Sequence, residues 1–440
     1  MRLPKRPRNS TSIHMTLNRM NTLMVSRELP DPNGVGVERR AAQHLGMLAA
    51  LGPVTLVLPK WIGLSRSDRI AGLTALGASK VIIREEDPRP ESLRLQHHAT
   101  TSKPLRIWRA LNRPPAFDDR VDGRLARDYR DRLGGPFDLL FAFRLTSAVW
   151  ADSVYCVNGA RPSTTIVDLD DIESITFRNN PGEPSPSRLR RILLRRDLWA
   201  LRAKERQLAQ QWSATLLCSA LDADRFETIT GVRPWIVPNT VRFGPVEPEQ
   251  IGAKISFLFV GAFGYPPNEH GVCWFTETVW PVIRAKLGEQ AELTLAGYRP
   301  TPVISAMDGA NGIRVLGNVA DLAEVYAAAN IVIVPLFAGS GTRIKVIEAA
   351  AMQRAIISTT LGCEGLDLVA GKHIEIADDP ATFADAAIRL ATNPERRKIL
   401  AEAACRHAET LFSIEQVRAD LKRKITEKIA KAQQSTLSQR

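Results

Sequence analysis

Residues 331–360 read IVIVPLFAGSGTRIKVIEAAAMQRAIISTT. The opening run, Ile331–Pro335, is apolar throughout, the pattern of a parallel strand buried on both faces. A short loop carrying Gly339, Ser340 and Gly341 follows, and Arg343–Met352 then reads as a helix. A second apolar run, Ala355–Ser358, closes the unit. Strand, helix and strand at these lengths make a parallel crossover, the building block of α/β folds.

The alternation extends both ways. In the same half, strands are expected at Ile255–Val260, Glu292–Ala296 and Ile313–Leu316. Helices are expected near Glu269–Lys286, Ala320–Ala329, Pro380–Ala391 and Pro394–Leu411. Earlier apolar bursts are Thr22–Ser26, Val54–Leu58, Lys80–Ile83, Asp138–Phe143, Thr165–Leu169 and Thr215–Cys218. Helical patterns such as Val37–Leu51 and Ser187–Trp212 separate them. Between the halves, Ile236–Lys254 (IVPNTVRFGPVEPEQIGAK) has three prolines, two glycines and little periodicity, which reads as a linker able to act as a hinge.

The expectation is an α/β chain of two Rossmann-like domains facing across a cleft. The N-terminal domain is placed at 21–240, with a last helix near 413–431 crossing back to it, and the C-terminal domain at 255–411. Ligands of doubly wound sheets sit beyond the carboxyl ends of the strands, so the cleft is the expected site. Residues 1–20 are expected to be a disordered basic tail, or an over-long start ahead of Met15 or Met20. The Arg- and Pro-rich stretch 84–120, with His97 and His98 adjacent, reads as a solvated connection.

Composition narrows the class. The chain has 440 residues, 44% apolar and 24% charged, values of a globular protein of about two domains. No run of about 18 apolar residues spans a bilayer. The basic start, MRLPKRPRNSTSIHM, is followed by no apolar stretch and does not read as a secretory signal. Five scattered cysteines with no CxxC pair fit a reducing cytosol rather than a disulfide framework or a zinc site. A net charge of +12 is compatible with nucleic acid, an anionic membrane face or phosphorylated substrates.

The loop Gly339-Ser340-Gly341-Thr342 leads a strand into a helix carrying Arg343, Lys345 and Glu348. Glycines let the backbone approach a ligand, and a helix N-terminus attracts anions. Arg343 and Lys345 add formal charge at the same place, and Glu348 can accept the two hydroxyls of a ribose. The competing reading is a helix capped by Thr342 with an exposed Lys345–Glu348 pair. A second glycine loop, containing Gly34 and Gly36, follows the first strand. It lacks the third glycine of a dinucleotide site, and no acid ends the second strand, so a NAD-type site is disfavoured. No GxxxxGK[ST] stands in the chain, which removes a P-loop nucleotidase. Asp168, Asp170 and Asp171 are close in sequence at a strand end. They read either as a capping and solvated loop or as contacts to an acceptor.

Several pieces together are similar to the retaining GT-B glycosyltransferases of the large family-4 group. The closest matches are FLFVGAFGYPPNEHG (257–271), GIRVLGNVADLAEVYAAANIVIVPLFAGSGTRIKVIEAAAM (312–352) and AIISTTLGCEGL (355–366). IVDLDDIES (166–174), AKERQLAQQWSATLLCSALDADRF (203–226) and IVPN (236–239) also match. The resemblance covers about 21–430. It implies a nucleotide-sugar donor held by Gly339, Ser340, Gly341, Thr342 and Glu348, with Gly261 after the first strand of the second domain. Glu348 matches the second acid of the family's E-x7-E motif, and Ser340 stands where the first acid would be. The basic residues that many relatives carry after Gly261 are missing, so Arg343 and Lys345 are assigned the catalytic neutralisation of the diphosphate. Gly34 and Gly36 would close on the phosphates. The resemblance further implies a hexosyl-type transfer with retention to a saccharide or lipid-linked acceptor, with Asp168, Asp170 and Asp171 on the acceptor side. It implies no metal and no cofactor beyond the co-substrate, and a role in cell-surface polysaccharide or glycolipid synthesis.

The helix Ser187–Trp212 holds eight basic residues against Asp197 and Glu205. It reads as a solvated face with a buried stripe, or as a face for an anionic membrane. The expected protein is cytoplasmic and can lie at a membrane surface. One rival is a GT-B sugar-nucleotide epimerase, which needs a base such as His270, His373 or His407 beside the sugar. The other is a basic nucleic-acid-binding protein, disfavoured because aromatics are 6% of residues and do not interleave with the arginines.

Overall fold

The computed structural model describes residues 20–59, 68–84, 117–155, 161–179, 188–246, 249, 254–319, 321–339 and 341–438. The tail up to residue 19, most of 84–120 and Ser340 lie outside the described residues. The described chain divides into two compact units. One comprises the residues up to Leu217 with Asp222–Val237 and the chain from Ala419; the other comprises Cys218–Leu221 and Pro238–Arg418.

The first unit contains a seven-stranded sheet. Its strands are β1 (Thr22–Ser26), β2 (Val54–Pro59), β3 (Ala78–Arg84), β4 (Leu139–Phe143), β5 (Thr164–Asp170), β6 (Ala214–Leu217) and β7 (Trp235–Ile236). The order is β3-β2-β1-β4-β5-β6-β7, parallel throughout. Every residue of β1 and β4 is buried, as expected for central strands covered on both faces. The helices are α1 (Gly36–Ala49), α2 (Asp68–Ala75), α3 (Gly123–Leu133), α4 (Leu145–Tyr155), α5 (Glu173–Asn179), α6 (Arg188–Gln211) and α7 (Ala220–Thr230).

The second unit repeats the plan with β8 (Ile255–Val260), β9 (Ala291–Gly297), β10 (Ile313–Gly317), β11 (Ile331–Val334), β12 (Ala355–Ser358) and β13 (Glu375–Ile376). Their order is β10-β9-β8-β11-β12-β13. Helices α8 (Pro266–Trp274), α9 (Trp280–Leu287), α10 (Pro302–Ser305), α11 (Leu322–Ala327), α12 (Ile344–Ala351), α13 (Pro380–Thr392) and α14 (Pro394–Phe412) flank it. Successive strand residues point to opposite faces. Phe257, Phe259, Ile331 and Ile333 therefore join one core, and Leu258, Val260, Val332 and Val334 the other. The last helix, α15 (Ile414–Ser438), belongs to the first unit from Ala419, and Lys424 donates to Ile236 O at 3.2 Å there.

Three local expectations are corrected. The single helix expected over Glu269–Lys286 is α8 and α9 separated by a π-helical turn, Phe275–Val279. Pro281 lacks the N–H that a continuous helix would use, so the backbone rewinds just before it. The segment beginning at Ile236 is not wholly irregular, because β7 extends the first sheet beside β6. The helix expected from Arg343 begins at Ile344, with Arg343 as its N-cap residue. Among the described residues no helix is long and apolar enough to cross a membrane.

Candidate functional site

In the second sheet β8 pairs with both β9 and β11, so the chain leaves the carboxyl ends of β8 and β11 in opposite directions. That divergence opens a crevice at the switch point. Gly261 follows β8 and the loop 335–343 follows β11. Gly339 has φ 118° and Gly341 φ 76°, conformations that only glycine takes at little cost. A Cβ at Gly339 would also stand 3.0 Å from Tyr265 Oη.

The start of α12 is built differently from a capped helix. Arg343 makes no side-chain cap, and Thr342 does not cap either, since its Oγ1 is buried without a partner. Ile344 N–H goes to Thr342 O and Val346 N–H to Arg343 O, so those donors are spent locally. The positive potential comes from the helix dipole and the two cations. Arg343 is 7% exposed; its Nη1 donates to Gly341 O, while its Nε is buried with no partner. Burying an unsatisfied donor costs about 1–3 kcal/mol, so such an atom marks a place where an acceptor is missing.

Lys345 reaches back across the switch point. Its Nζ donates to Asn268 Oδ1 at 2.8 Å and lies 4.1 Å from the Phe259 ring centroid. Asn268 is itself held by donating from Nδ2 to Ala262 O at 2.8 Å. A Cβ at Gly261 would meet Nζ at 2.9 Å, so glycine there leaves room for the ammonium. The residue keeps partial exposure along its length, yet dense protein surrounds the ammonium. Burial, helped by the Arg343 charge, pushes the Lys345 pKa down to about 7. The surface Lys345–Glu348 pair is thus corrected: Lys345 turns inward to a neutral amide and an aromatic face. Glu348 Oε2 accepts from Tyr326 Oη at 3.0 Å instead.

Asn268, Phe259 and Tyr326 were not singled out in the sequence. Asn268 stands in PPNEHG, where Pro266 at the start of α8 signals a helix but not what its asparagine will hold. His373 and His407 are paired with each other, their rings stacked at 4.4 Å. His373 Nδ1 accepts Val369 N–H and His407 Nε2 bonds Asp367 O, so both have structural roles.

The glycine loop of the first unit is not an open phosphate cradle. Gly34 N–H donates to Asp31 O at 3.2 Å, and Val35 N–H to Glu38 Oε2 at 2.9 Å. A carboxylate therefore already sits at the start of α1. Neither Gly34 nor Gly36 needs a left-handed conformation; Gly34 is glycine because a Cβ would collide with Glu38. Asp168 is fully buried, which corrects both its loop and its acceptor readings. Arg40 Nε donates to its Oδ2 at 2.8 Å, His44 Nε2 makes a short bond to the same oxygen, and Oδ1 accepts Asp170 N–H at 2.8 Å. Burial would raise the Asp168 pKa; Arg40 and His44 overcome this and hold it well below the usual carboxylate range.

Asp170 and Asp171 remain nearer the surface. Asp170 has φ 62° and pairs with Arg144, itself at φ 76°, at 3.1 Å. These two non-glycine residues in the left-handed region stand at the carboxyl ends of adjacent strands, β4 and β5, and β4 is one side of this sheet's own switch point, β1 against β4. Glu28, after β1, has its pKa raised by burial against the pull of Arg144 and Arg27.

Comparison with known proteins agrees with this architecture. Residues 254–393, within the second unit, match the family described as Glycosyl transferases group 1. A Klebsiella pneumoniae protein described as an uncharacterized 44.6 kDa protein in the cps region is 30% identical over 153 residues, 33% of this chain. The match spans 39% of that protein's length. Sucrose-phosphate synthase from Thermosynechococcus elongatus is similar with a TM-score of 0.64 at 12% identity, covering 94% of this chain and 100% of that one. Anabaena HepE in complex with UDP and glucose gives 0.59 at 12% identity, covering 92% and 99%. An S. aureus TarM mutant in complex with Fondaparinux, alpha-GlcNAc-glycerol and UDP gives 0.59 at 10%, covering 94% and 99%. The fold is that of the GT-B glycosyltransferases, two parallel α/β sheets along nearly the whole chain.

Proposed function

We propose that this chain transfers a hexosyl group from a nucleotide-sugar donor to a saccharide or lipid-linked acceptor, with retention, in cell-surface polysaccharide or glycolipid synthesis. One observation carries the reading. Arg343 Nε and Thr342 Oγ1 are buried without partners, near a Lys345 ammonium held by a neutral amide and a ring. Among the described residues neither Arg343 nor Lys345 makes an ion pair. Such a place lacks an anion with several acceptor oxygens, as a diphosphate has. The UDP named with HepE and TarM, and the cps region named for the Klebsiella protein, support the same class.

In the proposed step the acceptor hydroxyl oxygen bonds the anomeric carbon on the face that the diphosphate leaves. The bond between that carbon and the phosphate oxygen breaks, and the hydroxyl proton passes to the departing phosphate. Lys345 and Arg343 meet the charge that develops there, which favours the transition state over the bound donor. With these cations in place the transfer needs no divalent ion, and turnover should persist in a chelator. Gly261 admits the phosphate end, Gly339 and Gly341 shape the loop, and Glu348, oriented by Tyr326, accepts the ribose hydroxyls. Asp170 and Asp171 in the first unit are the acceptor-side groups of this reading.

Thermal-shift titration with UDP-, GDP- and ADP-sugars tests it. A ligand at about 100 times its Kd stabilises by about 2.7 kcal/mol, and no response to any of the three would overturn the donor class. Glu348→Gln should weaken nucleotide binding about tenfold by calorimetry, since hydrogen bonds to a charged group are worth roughly 1.5–3 kcal/mol. Unchanged affinity with an intact fold would sink the ribose assignment. Arg343→Lys keeps the charge and loses the fork. It should lower kcat roughly tenfold with a smaller change in donor affinity.

A further inference from the structure

Helix α6 carries an exposed stripe in which nothing is acidic. Arg191, Ile192, Arg195, Trp199, Arg202 and Arg206 are all exposed. At about 100° per residue they fall within an arc of roughly 100°. Trp199 is 72% and Ile192 56% exposed, the two most exposed large apolar side chains described. The helix's two acids are turned inward. Asp197 is buried and taken by Arg196 at 2.6 Å; Glu205 is buried and accepts Ser174 N–H at 2.9 Å. Leu201 and Leu208 bury the opposite stripe, so the helix cannot roll to hide its tryptophan.

A solvated face does not call for a tryptophan in the middle of four arginines. Two partners are anionic enough, a lipid surface and a nucleic acid. Tryptophan prefers the boundary between hydrocarbon and water, and an isoleucine beside it adds area that only an apolar phase rewards. Nucleic acid would instead use several aromatics for successive bases. We infer that the arginine–tryptophan face of α6 docks on an anionic lipid bilayer, with Trp199 and Ile192 entering the interface and the arginines meeting the headgroups. This inference goes beyond sugar transfer and does not rest on it.

The full chain is sedimented with phosphatidylcholine vesicles, with and without phosphatidylglycerol. Binding is expected only with phosphatidylglycerol, weakening as salt rises. Each arginine near the surface contributes about fivefold, so Arg191→Glu with Arg195→Glu should lower partitioning about 25-fold or more. Trp199→Ala should lower it at least about fivefold with little change in its salt dependence, and Trp199→Phe should restore most of the loss. The substituted side chains are exposed, so an unchanged melting temperature checks the fold. No binding to phosphatidylglycerol vesicles, or equal binding by the Trp199→Ala and double-glutamate variants, would overturn the inference. Retention on duplex or single-stranded nucleic acid without vesicle binding would overturn it in favour of the other partner.

Discussion

Lys345→Met should lose about 100- to 1000-fold in kcat, the scale of removing one preorganised group that stabilises developing negative charge. The same change should make the protein more stable at neutral pH. The sign follows from linkage. Burial holds the Lys345 pKa at about 7, below its ordinary 10.5, so the fold carries the full cost of the buried charge below about pH 7. Between those values the unfolded chain keeps a proton that the folded chain has lost, and stability rises with pH. The variant lacks that slope. Its stability advantage, full at pH 6, should therefore shrink as pH climbs toward 10. Donor affinity in the wild type should fall as pH rises above about 7, because a diphosphate needs the ammonium, and the variant should not show that fall. Thermal melts and donor titrations between pH 6 and 10 give both curves. Normal turnover in Lys345→Met would remove it from the reaction, and a flat donor profile in the wild type would show its charge to be constant.

Asp168→Asn should cost about 3–5 kcal/mol of stability, because it leaves Arg40 and His44 buried around a neutral amide. That corresponds to a fall in melting temperature of roughly 10 °C. Arg40 also donates to Val237 O at 2.9 Å, so the damage spreads from β5 and α1 to the residue after β7. The pH dependence has two parts. Asp168 is depressed, so its contribution is present above the ordinary 3.8 and lost only as pH falls through a much lower value. His44 is lowered by burial, against the pull of Asp168, so the folded form resists protonation while the unfolded form accepts it below about 6.5. Wild-type stability should therefore begin to decline below about pH 6.5, well before Asp168 itself is protonated. Calorimetry at pH 5 and pH 7 measures this. If Asp168→Asn melts with the wild type, the Arg40–Asp168–His44 cluster is not a structural anchor.

The strands were legible because full burial is written locally. Thr22–Ser26, Ile255–Val260 and Ala355–Ser358 have the bounds expected from their apolar runs. A strand covered on both faces is apolar at successive positions, so its run stands out from the segments around it. β7 and β13 are two residues long and carry no such run, so they exist only because a neighbouring strand offers its edge. The glycine loop after β11 was also legible as a strand-to-helix connection, and Gly339 and Gly341 there adopt positive φ. The same reasoning failed at Gly34, where the helix that follows supplies its own anion, Glu38.

Residue type and local pattern alone determined that the chain forms two parallel α/β sheets, and that Arg343, Lys345 and Glu348 stand at the start of a helix after β11. Hydrophobic period and backbone sterics act over a few residues, so one sequence suffices to read them. Tertiary structure decided what each charge became. Asp168 and Arg40 are 128 residues apart, and their contact turned an apparent loop acid into a buried anchor. Lys345 and Asn268 are 77 apart, and their contact draws a lysine read as a cation at a helix start into a desolvated place beside Gly261. Desolvation and Coulomb energy depend on which groups enclose a charge, and here those groups came from distant strands and helices.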